Sequence, residues 1–422
     1  MSLQTSGTGV ASRSYWPLVP AISGLTMVVT TVGFLAPILV LLSREFEVSV
    51  AHAGQLVVLT AIPWAVVAPL SGALSDRFGR RPVIITALTG MGLATLAGAF
   101  ATEFWMLAAL RVVTGCFGSG GPPTIMAGLV DHYPPHQRGK VIGWSNTCFS
   151  LANLTAVPIL GAAGGAWGWR AAFLIIGAGL LLGALFIWLA YPRAAPGSRN
   201  EGNPIRAYRH LFGRPHLGTF LLSNLFERLT FMVFSLYLAS YLIQTYNRDP
   251  VTVAPLLFLT ALGTFTGAIG GGLLADRLDR VKLAAWTLAL SGLCGLATFA
   301  WPAWLVFSVA AGFGFGLTNA ASRPPFMSLL LGLSDQHRGA LNGLVAMSNQ
   351  IGWAIGAGIG GLILGLAGYP GLGQFLFVFG LLSAALVVVA RSVAYRPAIE
   401  AAPPQPRSPL VSSGSGDSSR DL

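Results

Sequence analysis

Gly72-Ala73-Leu74-Ser75-Asp76-Arg77-Phe78-Gly79-Arg80-Arg81 separates two long apolar runs, and Gly272-Leu273-Leu274-Ala275-Asp276-Arg277-Leu278-Asp279-Arg280 separates two others. Asp76 and Asp276 stand 200 residues apart. Arg138-Gly139 with Gly143, and Arg338-Gly339 with Gly343, keep the same 200-residue offset. Two unrelated motifs at one offset mark a duplication. The chain therefore reads as two copies of one helical unit joined in tandem.

The runs around these motifs point to a bilayer. Of the 422 residues, 54% are hydrophobic and only 9% charged, with a mean hydropathy of +0.69. Soluble domains carry about 25% charged residues because they must present a solvated surface. A chain this apolar needs lipid as part of its solvent. Runs of roughly 20 apolar residues, enough to cross about 30 Å of hydrocarbon as helix, recur along its length. Turn signals divide them into spans near 18–42, 53–75, 82–101, 104–131, 139–165, 170–191, 217–244, 252–275, 282–300, 302–333, 339–367 and 372–394. The expected fold class is an all-α membrane protein: twelve transmembrane helices in two six-helix bundles, repeated in parallel about an axis along the membrane normal. Residues 1–17 read as an N-terminal tail, 18–191 as the first bundle, 192–216 as a polar linker and 217–395 as the second bundle. Residues 396–422 are Pro/Ser/Gly-rich and read as a disordered tail. The first span is too long for the apolar core of a signal peptide and no cleavage site follows it, so it is expected to be retained.

The formal net charge of +11 would suit a nucleic-acid binder, but its placement does not. Of the 25 lysines and arginines, those in loops and tails fall on the side of the termini, Arg44, Arg170 and Arg248 excepted. By the positive-inside rule both termini are cytoplasmic, and the basic balance is a topology signal with no nucleic-acid partner implied. High Ala/Gly content and short loops suit a bacterial inner membrane. Cys116, Cys148 and Cys294 lie inside apolar runs at no metal-ligand spacing and read as small buried hydrophobes. The histidines fall near span ends or in loops. With no HExxH motif, Gly-rich phosphate loop or nucleophile–base pair in the sequence, the expectation is no enzyme, no cofactor and no direct ATP drive.

The loop from Gly72 to Arg81, between the second and third spans, resembles the GxLxDRxGRR signature of the major facilitator superfamily, and the resemblance extends from the first span to the twelfth. It implies a secondary transporter, usually monomeric, in which this loop latches the cytoplasmic side while the carrier faces outward. Gly72, Asp76, Arg77, Gly79 and Arg80 are expected to form this gate, with Asp276, Arg277 and Arg280 as its second copy. The physical reason is separate from the resemblance. Gly72 lets a neighbouring helix approach, Gly79 permits a turn with φ > 0, and an acid among arginines at a membrane boundary makes pairs that exist in one packing and break in another. Asp279 stands where the second copy expects glycine, so a looser turn and a weaker latch are expected there. Arg111, in Arg111-Val112-Val113-Thr114-Gly115, resembles the family's second motif, whose arginine is implicated in proton coupling. Trp167-Gly168-Trp169-Arg170-Ala171-Ala172-Phe173 resembles the family's entry into span six. In span five, Ala156-Val157-Pro158-Ile159-Leu160-Gly161 is similar to the antiporter motif GPxxGG, with Val157 and Ala162 in place of two glycines. That similarity favours the drug:proton antiporter branch, and an ordinary proline kink is the alternative.

Ionisable groups at bilayer depth are costly and usually functional. Four occur: Arg111, Glu227, Arg228 and Arg323. Glu227 and Arg323 each lie about ten residues from the termini side of their spans, about 15 Å deep at 1.5 Å per residue. In the family, spans one, four, seven and ten line the cavity, and all four charges fall on those spans. Asn224, Glu227 and Arg228 share one side of span seven at i, i+3 and i+4, and Asn319, Ser322 and Arg323 repeat that spacing on span ten. Thr26 and Thr30 of span one add hydroxyls. The expected substrate cavity is therefore Thr26, Thr30, Arg111, Asn224, Glu227, Arg228, Asn319 and Arg323. Glu227, the only acid at this depth, is the expected proton-coupling acid, partnered by Arg323 or Arg228 and supported by Arg111. A static Glu227–Arg323 bridge is the structural alternative. Three arginines against one glutamate favour a substrate with an anionic or strongly hydrogen-bonding group. The expected function is proton-coupled efflux of a small organic solute by alternating access, with substrate, protons and lipid bilayer as partners. Proton-coupled import of an organic anion is the alternative within the fold, and a non-transporting membrane receptor is the reading from another class.

Overall fold

The computed structural model describes residues 18–133, 154, 158–191, 211, 213, 216–302, 304–333 and 338–394, and every regular element among them is helical. Span one comprises Leu18–Gly33 and Leu35–Glu45, span two Val50–Phe78, span three Arg80–Gly98, and span four Phe104–Gly118 with Gly121–His132. Of span five, only Leu154 and the helix at 158–167 are described. Span six is Trp169–Ala190, span seven Leu217–Thr245, span eight Pro250–Ala275, span nine Arg280–Ala300 and span ten Leu305–Leu331. Arg338–Ala394 holds spans eleven and twelve, interrupted at Gly368 (φ 65°, ψ −164°). Arg138-Gly139, Cys148, both tails and nearly all of the linker lie outside the described residues.

Among the described residues, eight helices are long and apolar enough to cross a membrane, or nine when the bent pair of span one is taken as one crossing. One of these runs 48 residues, Gly343–Ala390, about 70 Å at 1.5 Å per residue, and so makes two crossings. Span four is cut at Ser119-Gly120 into pieces of 15 and 12 residues, each too short to cross alone. Those two features account for crossings that a length test does not see.

Local chemistry sets the ends. Ser49 Oγ accepts from the His52 N–H at 3.1 Å at the start of span two, satisfying one of the donors a helix start leaves open. Pro250 opens span eight, and Pro122 and Pro123 open the second piece of span four, where a missing N–H costs nothing. Gly79, at φ 91° between spans two and three, turns the chain where a residue with a Cβ would be strained. The second copy turns differently: Asp279, at φ −60°, is the N-cap of span nine, and its carboxylate accepts from the N–H groups of Val281 (3.0 Å) and Lys282 (2.9 Å). The expected glycine is thus replaced by a capping acid. Span one bends by 41° between its pieces, because Pro37 has no N–H for the Gly33 carbonyl.

Packing repeats with the duplication. Spans two and four lie together as eight and ten do, and three and six as nine and twelve do. A Cβ on Gly115 would fall 2.2 Å from the Thr60 carbonyl oxygen, and one on Gly316 2.7 Å from that of Thr260. On span eight, Gly263, Gly267 and Gly271 recur every fourth residue, and a Cβ on them would lie 2.3, 2.1 and 2.4 Å from the carbonyls of Phe313, Leu317 and Ala321. Such small-residue stripes let helix backbones touch where lipid offers no hydrophobic drive.

The halves meet at one end. A single apolar core joins Leu35, Leu39, Leu42, Leu56 and Val57 to Val233, Leu236, Tyr237, Val253 and Ala357, all toward the end of the bundle opposite Leu18 and Ala394 (the far end). Tyr237 of span seven donates to the Ala357 carbonyl at 3.2 Å and lies over Gly54 of span two and Gly361 of span eleven. Gln55 Nε2 reaches the Gly358 carbonyl at 3.5 Å. At the near end the second half has its own core, built on Leu217, Phe220, Val281, Phe326, Leu341 and Val387, with no first-half residue in it. Among the described residues, then, the halves share one core toward the far end, and the near-end core of the second half holds no first-half residue. Trp105, Trp167, Trp301 and Trp304 are exposed around the far end, as aromatic side chains are at a membrane–water boundary.

Candidate functional site

Ten residues into span seven, Glu227 is buried with 4% of its surface exposed. Arg228 Nε donates to Glu227 Oε2 at 2.5 Å, and Arg228 Nη2 donates to Oε1. From span ten, Arg323 Nη1 donates to Oε2 at 3.1 Å and to Asn224 Oδ1 at 2.8 Å. The Asn224 amide in turn donates to Ser348 Oγ (3.1 Å) and Asn349 Oδ1 (2.9 Å) of span eleven. Ser348 donates to the Leu221 carbonyl at 3.0 Å. One network therefore ties spans seven, ten and eleven together at mid-depth. A buried carboxylate is tolerable only when paired and hydrogen-bonded, and both oxygens of Glu227 are.

Local sequence brings these groups together. Gly352 lets span eleven approach so closely that a Cβ there would lie 2.8 Å from Arg228 Cβ and from the Leu225 carbonyl. Gly356 and Gly360 continue that stripe against Leu229 and Tyr237. On span ten, Pro324 and Pro325 follow Arg323 inside the helix. They remove the N–H groups that the carbonyls of Ala320 and Ala321 would bind, loosening the helix where the charge sits.

A cavity of about 120 Å³ begins one turn beyond the cluster, toward the far end. Phe231, Met232, Phe234, Phe315 and Trp353 line it, with Val29, Gly33 and Ala36 of span one opposite. Ser235, Thr260 and Thr264 are its polar groups. Arg228 joins cluster to cavity, its guanidinium 5.0 Å from the Phe231 ring centre. Asn319, 2% exposed on span ten, places its amide beside the Glu227 carboxylate.

The expected residues of the first half stand apart from this cluster. Arg111 is 1% exposed, donates from Nη2 to the Thr31 carbonyl at 3.4 Å and lies 5.4 Å from the Phe34 ring centre. Its Nε and Nη1 are buried without a partner. Thr30 donates to the Thr26 carbonyl within span one at 2.9 Å, so that hydroxyl is spent inside its own helix. In the expected gate, Gly72 and Asp76 lie on the helix of span two. Arg80 Nη1 donates to Ser75 Oγ at 2.5 Å, and Arg77 lies 5.3 Å from the Phe78 ring. In the second copy Asp276 and Arg277 are exposed, while Arg280 crosses to span ten and donates to Ser328 Oγ at 2.7 Å. In span five, Ala156 and Val157 lie outside the described residues. Gly161 packs where the halves meet: a Cβ on it would lie 3.0 Å from Pro37 Cβ and 3.9 Å from Ala254 Cβ. Arg170, at the entry to span six, bonds Glu45 at 2.7 Å and so pins span one at the far end.

Ser348, Asn349, Phe231 and Trp353 were not among the residues singled out in the sequence. The polar run Ser348-Asn349-Gln350 within an apolar span was a readable signal. The aromatic residues gave none, because lipid-facing aromatics look the same in sequence.

Two comparisons of sequence and one of structure bear on this architecture. The family model described as Major Facilitator Superfamily matches residues 21–322 and 220–415. The inner membrane transport protein YdhP of Escherichia coli O157:H7 is 25% identical over 381 residues, 89% of this chain and 94% of that protein. The class C tetracycline resistance protein of Escherichia coli is 26% identical over 355 residues, 78% of this chain and 85% of its own length. The solved structure of a D-xylose-proton symporter superposes with a TM-score of 0.73 at 14% identity, covering 88% of this chain and 97% of that one, which speaks for the fold alone. With a family model matching well over half the chain, on a duplicated helical bundle whose halves share a core toward one end, the protein belongs to the Major Facilitator Superfamily of membrane transporters.

Proposed function

We propose that the protein exports a small organic solute in exchange for protons, with Glu227 as the coupling acid. The observation that carries this is the double pairing of Glu227: Arg228 sits on the same helix, whereas Arg323 reaches it from span ten. A proton on the carboxylate and an ion pair to Arg323 compete for one oxygen. Occupancy of the site by protons therefore changes how spans seven and ten are tied, which is the linkage a coupled carrier requires. Export is favoured by the similarity of span five to the antiporter motif, and one similar protein is named for tetracycline resistance.

In this reading the near end faces the cytoplasm with both termini, in a bacterial inner membrane, because the loop arginines cluster there. The structure then represents the state open to the cytoplasm. Asp76, Arg77 and Arg80, with Asp276, Arg277 and Arg280, act when that end closes, and the working unit is a monomer. Import of an organic anion together with protons is the second reading, favoured by the surplus arginine in the cluster.

A proteoliposome screen of organic acids and hydrophobic drugs under an imposed pH gradient tests the proposal. Antiport predicts proton movement opposite to the solute. Movement in the same direction supports the import reading, and solute flux indifferent to the gradient contradicts both.

A further inference from the structure

We infer that the carried solute is an amphiphilic organic anion, its acidic group at Arg323 and Asn319 and its apolar body in the cavity lined by Phe231, Phe234, Phe315 and Trp353. This deepens the transport reading of the same site and rests on it.

Charge is the first support. Glu227, Arg228 and Arg323 leave the cluster one positive charge in surplus. Arg228 is committed, since its hydrogen bonds go to Glu227. The Arg323 side chain is 25% exposed, against 10% for Arg228 and 4% for Glu227. The cation that faces open space is thus Arg323, which reaches Glu227 and Asn224 through Nη1. Asn319, one turn away on the same helix, holds a buried amide beside the Glu227 carboxylate, on the same side as Arg323. An arriving carboxylate adds an acceptor within reach of both the Arg323 guanidinium and the Asn319 amide.

Shape is the second. Arg323, Asn319 and Phe315 follow one another at four-residue intervals on span ten, so a cation, an amide and a ring share one face at steps of about 6 Å. Opposite them, Arg228 is followed by Phe231 and Phe234 on span seven, both lining the cavity. A small hydrophilic anion would gain nothing from the aromatic wall. An organic cation would meet a positively charged entrance, and a neutral apolar solute would leave the surplus charge of the cluster uncompensated.

The test uses the full chain in lipid nanodiscs, with protein-free nanodiscs subtracting partition into lipid. Equilibrium dialysis compares naphthoate with acetate, naphthylmethylammonium and naphthol. Naphthoate is expected to bind at least about tenfold tighter than each of the other three, and Arg323→Gln to weaken it by about tenfold or more. Arg323→Lys is expected to recover part of the loss. Equal or tighter binding of the ammonium analogue overturns the inference, as does unchanged naphthoate affinity in folded Arg323→Gln. If Arg323→Gln does not fold, Asn319→Ala and Phe315→Leu take its place: weakened naphthoate binding supports the site, and unchanged affinity in both overturns it. Naphthoate binding without flux under any gradient would overturn the transport reading while leaving this site standing.

Discussion

Both oxygens of Glu227 accept from guanidinium groups, one on its own helix and one from span ten. Truncating a single partner of a buried ion pair commonly costs about 3–5 kcal/mol because it strands the other charge. Here either arginine can go and the carboxylate keeps a partner, so single losses at Arg228 or Arg323 should be milder than that. Arg111 is the opposite case: 1% exposed, with two nitrogens unpartnered. An uncompensated buried charge is costly, so an apolar side chain of similar length in its place removes that cost. Arg111→Met is therefore expected to keep or raise the thermal midpoint, by up to about 1–2 kcal/mol in stability, while lowering transport. Thermal unfolding and flux measured on the same preparation check both halves, and a lower midpoint with normal flux would mean that Arg111 is structural. At this scale the sequence showed which groups are buried, since charges in apolar runs are conspicuous. It did not show who pairs with whom: that Glu227 takes both arginines, and that Asn224 is held by Ser348 and Asn349, depends on the approach of span eleven.

Helix packing here rests on glycine more than on large side chains. A Cβ on Gly267 would sit 2.1 Å from the Leu317 carbonyl, whereas one on Gly270, one turn on and facing elsewhere, meets nothing within 4 Å. Gly267→Ala is accordingly expected to destabilise by about 1–3 kcal/mol through overpacking. Gly270→Ala should be neutral or stabilising by up to about 1 kcal/mol, as alanine is the better helix former. Unfolding midpoints of the two variants in one detergent decide it, and equal losses would contradict the close crossing of spans eight and ten. The spans themselves were legible because roughly 20 apolar residues between turn signals have few other readings. Their interruptions were less so. Pro37 bends span one and Ser119-Gly120 splits span four inside runs that read as continuous. The stripe Gly263-Gly267-Gly271 was hidden among 53 glycines, since spacing alone does not say which glycine faces a neighbour.

For the whole molecule, the duplicated motifs announced two like halves, and the recurrence of the Thr60 and Thr260 crossings bears that out in packing. Which end is closed had no counterpart in the sequence, because alternating states share every residue. The far-end contact between spans two and eleven must part for the carrier to face the other way. A Cβ on Gly358 would lie 3.6 Å from Val58 Cγ2. Val58→Cys with Gly358→Cys, in a background lacking the native cysteines, is expected to form a disulfide under oxidant and to stop transport. Dithiothreitol should restore it, and full transport in the cross-linked protein would show that this end does not open. In the proposed mechanism proton and solute meet at Glu227. Its most direct test is Glu227→Gln in proteoliposomes, using the best tracer from the gradient screen and an internal pH dye. The variant is predicted to retain solute exchange at equal pH and to lose both gradient-driven accumulation and solute-dependent proton movement. Undiminished pH-driven accumulation in Glu227→Gln would contradict it.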